Sequence, residues 1–272
     1  MSEIGVHLLG RKPSPPDLRD FRLANFEGIG AEAGAVDPAE EARLAAQELR
    51  LTTVTYKRWA ATKYADVTRT HWWNAFNHLA NITGDGPPPV VMDKLWDIDF
   101  QFDQGETPHC VGFGWAGWGV AEPVVDEYVN QVGHDIYYEA KVIEGDPLGE
   151  NGAYTRDGAK AMENRGRLAV YAFALSLDEI LTHLRTKGPL VIGTDWTNDM
   201  FNPDASGFVK PTGPNAGGHC YLLYGITGDT LYFKNSWGDS WGLDGSFKMT
   251  FASFQILMEA WGEAIASVEL PL

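Results

Sequence analysis

Two shortages set the first limits on what this sequence encodes. Cysteine is scarce: only Cys110 and Cys220 occur, so a scaffold held together by disulfide bonds is excluded. Positive charge is scarce too, with 21 Lys and Arg against 37 Asp and Glu and a formal net charge of −16. Phosphate backbones and anionic lipids require a basic surface, so we expect no nucleic acid partner and no docking on such membranes.

Long apolar segments are also missing. No run of about 18 apolar residues occurs, so we expect no insertion into a membrane. Residues 1–12 lack the apolar stretch of a signal peptide, and we therefore expect synthesis in the cytoplasm without export by the ordinary secretory route. The expected site of action is then the cell interior, a virion, or the surroundings after lysis.

The material for a packed core is nevertheless ample. Hydrophobic residues make up 44% and aromatic residues 12% of the chain, which indicates a globular protein. The segment TGDGPPP at 83–89 is the clearest break, because a helix cannot continue through three prolines. We therefore predict two regions: residues 1–95 form an N-terminal arm with a helical extension, and residues 96–272 form the main domain.

Hydrophobic periodicity and capping residues predict a mixture of helices and strands. In the N-terminal region we predict helices at about 38–50 and 69–81, and a strand at 52–59. In the main domain we predict a half-buried strand at 97–103, where apolar and polar residues alternate. The other predicted elements are helices at 155–165 and 176–186, and strands near 189–194, 219–226, 230–235 and 245–250.

One predicted helix of the main domain is unusual in composition. It runs from Cys110 to about Val120 and contains four glycines, each of which costs roughly 1 kcal/mol relative to alanine. Such a helix must gain stability from close packing, so we expect it to lie buried at the centre of the domain.

The first residue of that helix is a candidate nucleophile. A thiol at a helix N-terminus lies near the positive end of the helix dipole and near unpaired backbone N–H groups, which lowers its pKa and favours the thiolate. Gln104 precedes Cys110 by six residues. Its side-chain amide and the Cys110 backbone N–H can together hold a developing oxyanion.

A predicted hairpin brings a histidine and an asparagine together. His219 begins an apolar strand and Asn235 ends the next one. A hairpin centred on Thr227 places the two opposite each other, and residues paired across an antiparallel ladder point to the same face. Asn235 then orients the imidazole while the other ring nitrogen faces Cys110, which supplies a nucleophile, a base and an orienting group. Cys220 points to the opposite face and is expected to be core.

These motifs, in this order, resemble those of the papain family of cysteine peptidases. The shared strings are Gln-Gly-x4-Cys at 104–110, Gly-His at 218–219 and Lys-Asn-Ser-Trp-Gly-x2-Trp-Gly at 234–242. The resemblance covers roughly residues 95–252. It implies an α+β fold with two lobes, a helical lobe that carries the cysteine and a β-barrel-like lobe that carries the histidine and asparagine, here preceded by the N-terminal helical extension.

The resemblance also implies roles for individual residues. Cys110, His219 and Asn235 form the catalytic group, as a thiolate–imidazolium pair with its orienting amide. Gln104 completes the oxyanion hole, and Trp237 shields the contact between asparagine and histidine. Neither a cofactor nor a metal ion is expected.

Two further residues are candidate substrate contacts together with Trp237. They are Gly218 and His109, the sequence neighbours of the histidine and the cysteine, and His109 is expected to be partly exposed at the rim of the site. Two departures from the family pattern stand out. The usual Cys-Gly-Ser-Cys-Trp is Thr-Pro-His-Cys-Val at 107–111, so the family's disulfide is absent, and no glycine-rich strip for the substrate backbone is found between 130 and 156.

The functional hypothesis is hydrolysis of peptide bonds, in proteins or in the peptides of a bacterial cell wall, through a thioester intermediate. The arm PSPPDLRDF at 13–21 is similar to that of bacterial and phage members of the family. The alternative is a structural component of a phage virion or tail that retains the fold with a weak or dormant site. An acyl transferase of the transglutaminase type is disfavoured, because an acid would be expected at Asn235. Residues 1–95 have three open roles: a removable inhibitory prosegment, a permanent part of the fold, or a surface for a larger assembly.

Overall fold

The computed structural model describes residues 8–15, 21–22, 93–98 and 100–269. The chain divides into two units, and all described residues lie in the unit made of residues 1–15, 20–28 and 92–272. The second unit, residues 16–19 and 29–91, lies outside the described residues. The helices and the strand predicted between 38 and 81 therefore lie outside them too, and the predicted boundary at residue 95 stays a prediction.

The described ranges contain five α-helices, one 3₁₀ helix (Asn198–Phe201) and ten strands. The helices are α1 (Cys110–Val120), α2 (Asn130–Glu144), α3 (Thr155–Asn164), α4 (Leu177–Thr186) and α5 (Phe251–Glu259). The strands are β1 (Arg11–Lys12), β2 (Phe21–Arg22), β3 (Lys94–Leu95), β4 (Ala153–Tyr154), β5 (Leu168–Phe173), β6 (Leu190–Thr197), β7 (Asn215–Thr227), β8 (Thr230–Lys234), β9 (Ser246–Thr250) and β10 (Glu263–Glu269). None of the described helices is both long and apolar enough to cross a membrane.

Most of the strands form one mixed sheet of eight. Its order is β2-β5-β10-β6-β7-β8-β9, with β3 paired to β7, and every pairing is antiparallel except that of β2 with β5. The remaining two strands, β1 and β4, form a short parallel pair. Helices and sheet in this arrangement make an α+β fold.

The sheet separates two hydrophobic clusters, because successive side chains of a strand point to opposite faces. Tyr221 and Leu223 of β7 belong to the cluster that includes α4 and α5. Cys220 and Leu222 belong to the cluster around α1, α2 and α3. The prediction that Cys220 points away from the face of His219 and fills the core is confirmed.

Helix α1 is the buried central helix that its glycines predict. All eleven of its residues are buried. A methyl group at Gly112 would lie 2.0 Å from the Gly133 carbonyl oxygen of α2, and one at Gly114 would lie 2.7 Å from the Cys220 sulfur of β7. The glycines therefore let α1 approach both α2 and the sheet, and this packing offsets their low helix propensity.

Most predicted elements of the main domain are confirmed within a few residues. The strand predicted at 97–103 is wrong: the segment contributes only isolated bridges, Ile98 to Ala121 and Asp103 to Trp237. Five elements of the main domain are absent from the prediction, namely α2, β4, β5, α5 and β10. Helix α2 was hard to recognise because its buried face carries Gly133 and Lys141 beside its apolar residues.

The hairpin of β7 and β8 differs in register from the prediction. Its strands meet around Gly228 and Asp229 instead of Thr227, and the ladder shifts by one residue at Tyr224. Such a bulge adds a residue to one strand. The ladder ends at the pair Leu222 and Lys234, so Asn235 follows the last strand residue and meets His219 by its side chain alone.

Candidate active site

The histidine and the asparagine are hydrogen-bonded in the interior of the protein. His219 Nε2 donates to Asn235 Oδ1 at 2.8 Å, and the same oxygen accepts the backbone N–H of Ser236 at 2.8 Å. His219 is fully buried and Asn235 is 3% exposed. Two donors hold the amide oxygen in place, so the asparagine in turn fixes the orientation of the imidazole ring.

Aromatic rings surround this pair. Trp237 stacks on the His219 ring at a centroid distance of 4.7 Å, and Trp196 contacts it edge-on at 4.9 Å. Phe201 in turn stacks on Trp237 at a centroid distance of 5.5 Å. Because these rings exclude water, the hydrogen bond from His219 to Asn235 lies in a low-dielectric setting where it is stronger than in solvent.

The Cys110 thiol lies at the start of α1 and is fully buried. Burial raises the pKa of this thiol to about 11, and the backbone N–H groups of Gly10 and Cys220, together with the charge of Arg11, moderate the rise. The expected lowering of the thiol pKa is therefore wrong for this arrangement, because desolvation outweighs the helix N-terminus.

Gln104 is buried, and its side chain is fixed at both ends by hydrogen bonds. Its Oε1 accepts from Ser236 Oγ at 2.7 Å, and its Nε2 donates to the carbonyl oxygens of Thr107 at 2.6 Å and Leu8 at 3.1 Å. The Gln104 backbone N–H also donates to Ser236 at 2.8 Å. The segment that carries Asn235 therefore positions the amide that is a candidate oxyanion donor.

Residues 8–15 contact the segments that carry Gln104, Cys110 and His219, and they are called the arm from here on. The Leu8 carbonyl accepts from Gln104, the Gly10 N–H faces the Cys110 sulfur, and the Gly10 carbonyl accepts from Ala153 N at 2.8 Å. A methyl group at Gly218 would lie 2.1 Å from the Arg11 carbonyl oxygen. Gly218 thus allows the arm backbone to lie directly beside His219.

Buried and half-buried polar contacts hold the arm in place. Arg11 forms an ion pair with Glu263 at 3.1 Å, and Ser14 N donates to the same carboxylate at 2.6 Å. Lys12 pairs with Glu144 of α2. The contacts come from both the helices and the sheet, so the arm bridges the two structural parts that carry the thiol and the imidazole.

His109 lies elsewhere than expected. It is 2% exposed instead of partly exposed at a rim. Its Nδ1 lies 2.7 Å from His134 Nδ1, its Nε2 lies 2.9 Å from Glu150 Oε2, and its ring stacks on Tyr137 at 3.8 Å. Burial lowers the pKa of His109, and the bond to Glu150 opposes that change. The ring packs the start of α1 against α2.

The sequence did not predict the strand that lies beside the arm. No backbone-binding strip was found between 130 and 156, yet Ala153 and Tyr154 form β4, which pairs in parallel with Arg11 and Lys12. Gly152 has a φ of 83° and lies against Gly10, where a methyl group would be 1.9 Å from the Gly10 carbonyl oxygen. The sequence Asn151-Gly152-Ala153 was a signal for such a close approach.

Known cysteine proteases resemble this chain in sequence and in fold. A family model described as papain family cysteine protease matches residues 132–260, a range that contains His219 and Asn235 and lies downstream of Cys110. Cathepsin B-like cysteine proteinase 6 of Caenorhabditis elegans is 33% identical over 85 residues, which are 30% of this chain. That match spans only 22% of the relative's length.

Solved structures of cysteine proteases share the fold. Xylellain from Xylella fastidiosa superposes with a TM-score of 0.58 at 16% identity, covering 100% of this chain and 99% of that one. A cysteine protease from Carica candamarcensis gives a TM-score of 0.51 at 12% identity, covering 64% of this chain and 94% of that one. At these identities the likeness concerns the fold.

The mixed arrangement of helices and antiparallel strands is the α+β fold of papain-like cysteine proteases. Residues 132–260 match the papain family of cysteine proteases, and the fold is similar to that of solved cysteine proteases.

Proposed function

We propose that this protein hydrolyses peptide bonds with Cys110 as the nucleophile, His219 as its proton partner and Asn235 as the orienting group. The observation that carries the proposal is the buried 2.8 Å bond from His219 Nε2 to Asn235 Oδ1. That bond assigns proton exchange with the thiol to Nδ1, the other ring nitrogen. One of the backbone N–H groups that face the Cys110 sulfur belongs to Cys220, the residue next to His219.

The reaction proceeds in two acyl transfers. The Cys110 sulfur gives its proton to His219 and attacks the carbonyl carbon of the substrate, and the oxyanion is held by Gln104 Nε2 and the Cys110 backbone N–H. The C–N bond breaks as His219 returns the proton to the leaving amine, which leaves a thioester on the sulfur. Water, with its proton taken by His219, then attacks the thioester, releases the carboxylic acid and regenerates the thiol.

We further propose that the arm keeps this site latent. The Leu8 carbonyl takes the hydrogen bond that Gln104 offers to a substrate, and Gly10 covers the sulfur. Catalysis then requires the arm to leave, by displacement or by cleavage. Of the three roles for the N-terminal region, inhibition of the site is the one that these contacts favour. The proposed substrate is a protein or a cell-wall peptide.

The first test compares hydrolysis by full-length variants that differ in one cysteine. In the Arg11→Ala background, which removes the buried ion pair of the arm, we expect hydrolysis of a denatured protein or of a cell-wall cross-bridge peptide. Cys110→Ala should abolish the activity, and Cys220→Ala, the matched control, should retain it. Mass spectrometry of trapped protein should locate the acyl group on Cys110.

A folded Arg11→Ala protein that shows neither hydrolysis nor an acyl adduct with either substrate would contradict the proposal. That result would favour the structural alternative, a component of a larger particle with a dormant site.

A further inference from the structure

The side chain of Lys141, on the last turn of α2, has no exposed surface. Its ammonium nitrogen donates to the carboxylates of Glu144 and Asp146, each at 2.9 Å. It also donates to Asn151 Oδ1 and to the Gly152 carbonyl oxygen, each at 3.1 Å. A lysine is seldom fully buried unless it is paired. Since an ammonium has three N–H donors, these four acceptors use its whole capacity.

Lys141 holds both ends of the loop that joins α2 to β4. The loop, residues 145–152, lies wholly within the described residues and contains turns but no helix or strand. Its backbone turns sharply at Gly145 and Gly152, where φ is 86° and 83°, values that glycine adopts at no steric cost. Asp146 stands near the start of the loop and Gly152 is its last residue. Because one ammonium binds near both ends, it sets the path of the loop.

The far end of the loop borders the nucleophile. The Ala153 N–H donates to the Gly10 carbonyl oxygen at 2.8 Å, and the Gly10 N–H faces the Cys110 sulfur. The Gly152 carbonyl, which accepts from Lys141, belongs to the same peptide unit as the Ala153 N–H. In a planar trans peptide the C=O and the N–H point in opposite directions. A bond that fixes the carbonyl therefore also fixes the direction of the N–H.

The charge of Lys141 acts on that N–H as well. A cation on a carbonyl oxygen polarises the peptide unit, and a polarised unit is a stronger donor at its nitrogen. The Gly10 carbonyl oxygen of the arm marks the place of the acceptor that this donor binds. An extended peptide that replaces the arm along β4 would bring one of its own carbonyl oxygens to that place, because an open strand edge pairs with an added strand through its backbone.

The contacts of Lys141 do not depend on the arm. Glu144 accepts from Lys12 of the arm as well as from Lys141. When the arm leaves, Lys12 leaves with it, and Lys141 remains as the cation between the carboxylates of Glu144 and Asp146. We therefore expect the loop to keep its shape in the open protein.

We propose that Lys141 is a positioning residue for the substrate. Through the Gly152 carbonyl it directs the Ala153 N–H at the backbone of the bound peptide. The inference rests on the proposed peptidase function, and it concerns binding of the peptide and not the acyl transfers themselves.

The test compares a peptide reagent with a small one in full-length protein that carries Arg11→Ala and Cys220→Ala, so that the arm is loosened and one thiol reports. Trialanyl acyloxymethyl ketone offers a peptide backbone with small side chains, and iodoacetamide reaches the sulfur without pairing with β4. Labelling of Cys110 is read from intact mass over a range of reagent concentrations. Adding Lys141→Met should raise the peptide concentration for half-maximal labelling at least about tenfold, which corresponds to roughly one hydrogen bond. The limiting rate with the peptide should stay within about threefold and the iodoacetamide rate within about twofold.

Lys160→Met is the matched control. It removes the ammonium of another largely buried lysine, one that pairs with Asp157 three residues away on α3. Asp157 keeps Arg156 as a partner at 3.6 Å. The control should change neither the half-maximal peptide concentration nor the iodoacetamide rate.

Two more variants make the test independent of a single substitution. Lys141→Arg keeps the positive charge and should hold the half-maximal concentration within about threefold of the parent value. If Lys141→Met does not fold, Lys141→Gln takes its place, because it retains a polar group without the charge, and it should weaken peptide binding in the same way.

The outcomes separate the inference from the function on which it rests. Peptide binding that is as tight without the Lys141 ammonium as with it would overturn the positioning role and leave the peptidase proposal standing. Equal slowing of both reagents would also overturn it, because that result indicates general damage to the site. If Cys110 of the parent reacts with iodoacetamide and not with the peptide, the peptidase proposal fails, and the inference fails with it.

Discussion

Replacing Arg11 by glutamate is expected to raise the rate at which iodoacetamide alkylates Cys110 at pH 7 by about a hundredfold or more. The glutamate would place a second carboxylate beside Glu263, with which Arg11 now pairs at 3.1 Å. Two buried like charges repel, so the arm should leave the groove. The thiol then loses the burial that raises its pKa to about 11.

The magnitude follows from the thiolate fraction. A thiol of pKa about 11 is ionised at pH 7 in roughly one molecule in ten thousand, and an ordinary thiol of pKa about 8.5 in a few per cent. Pairing with His219 would increase the reactivity further.

The measurement is the alkylation rate of Cys110 by peptide mapping, in a Cys220→Ala background so that one thiol reports. Lys187→Glu, an equal change of charge at an exposed position after α4, is the control and should react as slowly as the parent protein. Equal rates in the Arg11→Glu and Lys187→Glu variants would show that the arm does not mask the thiol.

The raised pKa also gives the closed arrangement a dependence on pH. With the arm in place the pKa of the thiol is raised to about 11, against about 8.5 for an ordinary thiol. Stability that depends on a neutral thiol is fully present below about pH 8.5 and is lost as the pH rises towards 11. Release of the arm should therefore become easier as the pH rises towards 11. At neutral pH the Cys110 thiol should have no effect on the pH dependence of arm release.

Replacing His219 by alanine is expected to lower kcat for peptide hydrolysis by about ten-thousandfold in the Arg11→Ala background, because the proton partner of both acyl transfers is lost. We expect the variant to keep its fold while it loses activity. Because His219 is buried among Trp196, Trp237 and Tyr221, the melting temperature is measured together with kcat to check this.

Asn235→Ala provides the graded comparison. It removes the acceptor of the 2.8 Å bond and leaves the imidazole in place, so its effect on kcat should be smaller than that of His219→Ala. A His219→Ala protein that is folded and retains most of its kcat would contradict the assigned role.

The fold and the relation between His219 and Asn235 were largely accessible from the sequence. His219 precedes the apolar run of β7 and Asn235 directly follows β8, so the sequence pattern locates both, and the glycines of α1 indicate close packing without any knowledge of the partner. The register of the hairpin was not accessible, because the bulge at Tyr224 depends on tertiary packing. The asparagine still reaches the histidine, since a side chain accommodates a shift of one residue.

The state of the thiol could not be predicted from its local sequence. A helix N-terminus lowers a thiol pKa, and that argument uses only residues close to Cys110. The opposing effect is desolvation of the sulfur by tertiary packing, and Gly10 and Arg11, about one hundred positions away in the chain, offset only part of it. The prediction for His109 was wrong for a similar reason. Its partner His134 lies on α2, a helix that the sequence pattern did not indicate.

The most direct measurement is the rate of Cys110 alkylation as a function of pH, from pH 4 to 10, in Arg11→Glu and in Arg11→Glu with His219→Ala. If imidazole and thiol exchange a proton once the arm has left, the first variant stays reactive below pH 6 and the second titrates as a single thiol near pH 8.5 or above. Superimposable profiles for the two variants would contradict the claim that His219 activates Cys110.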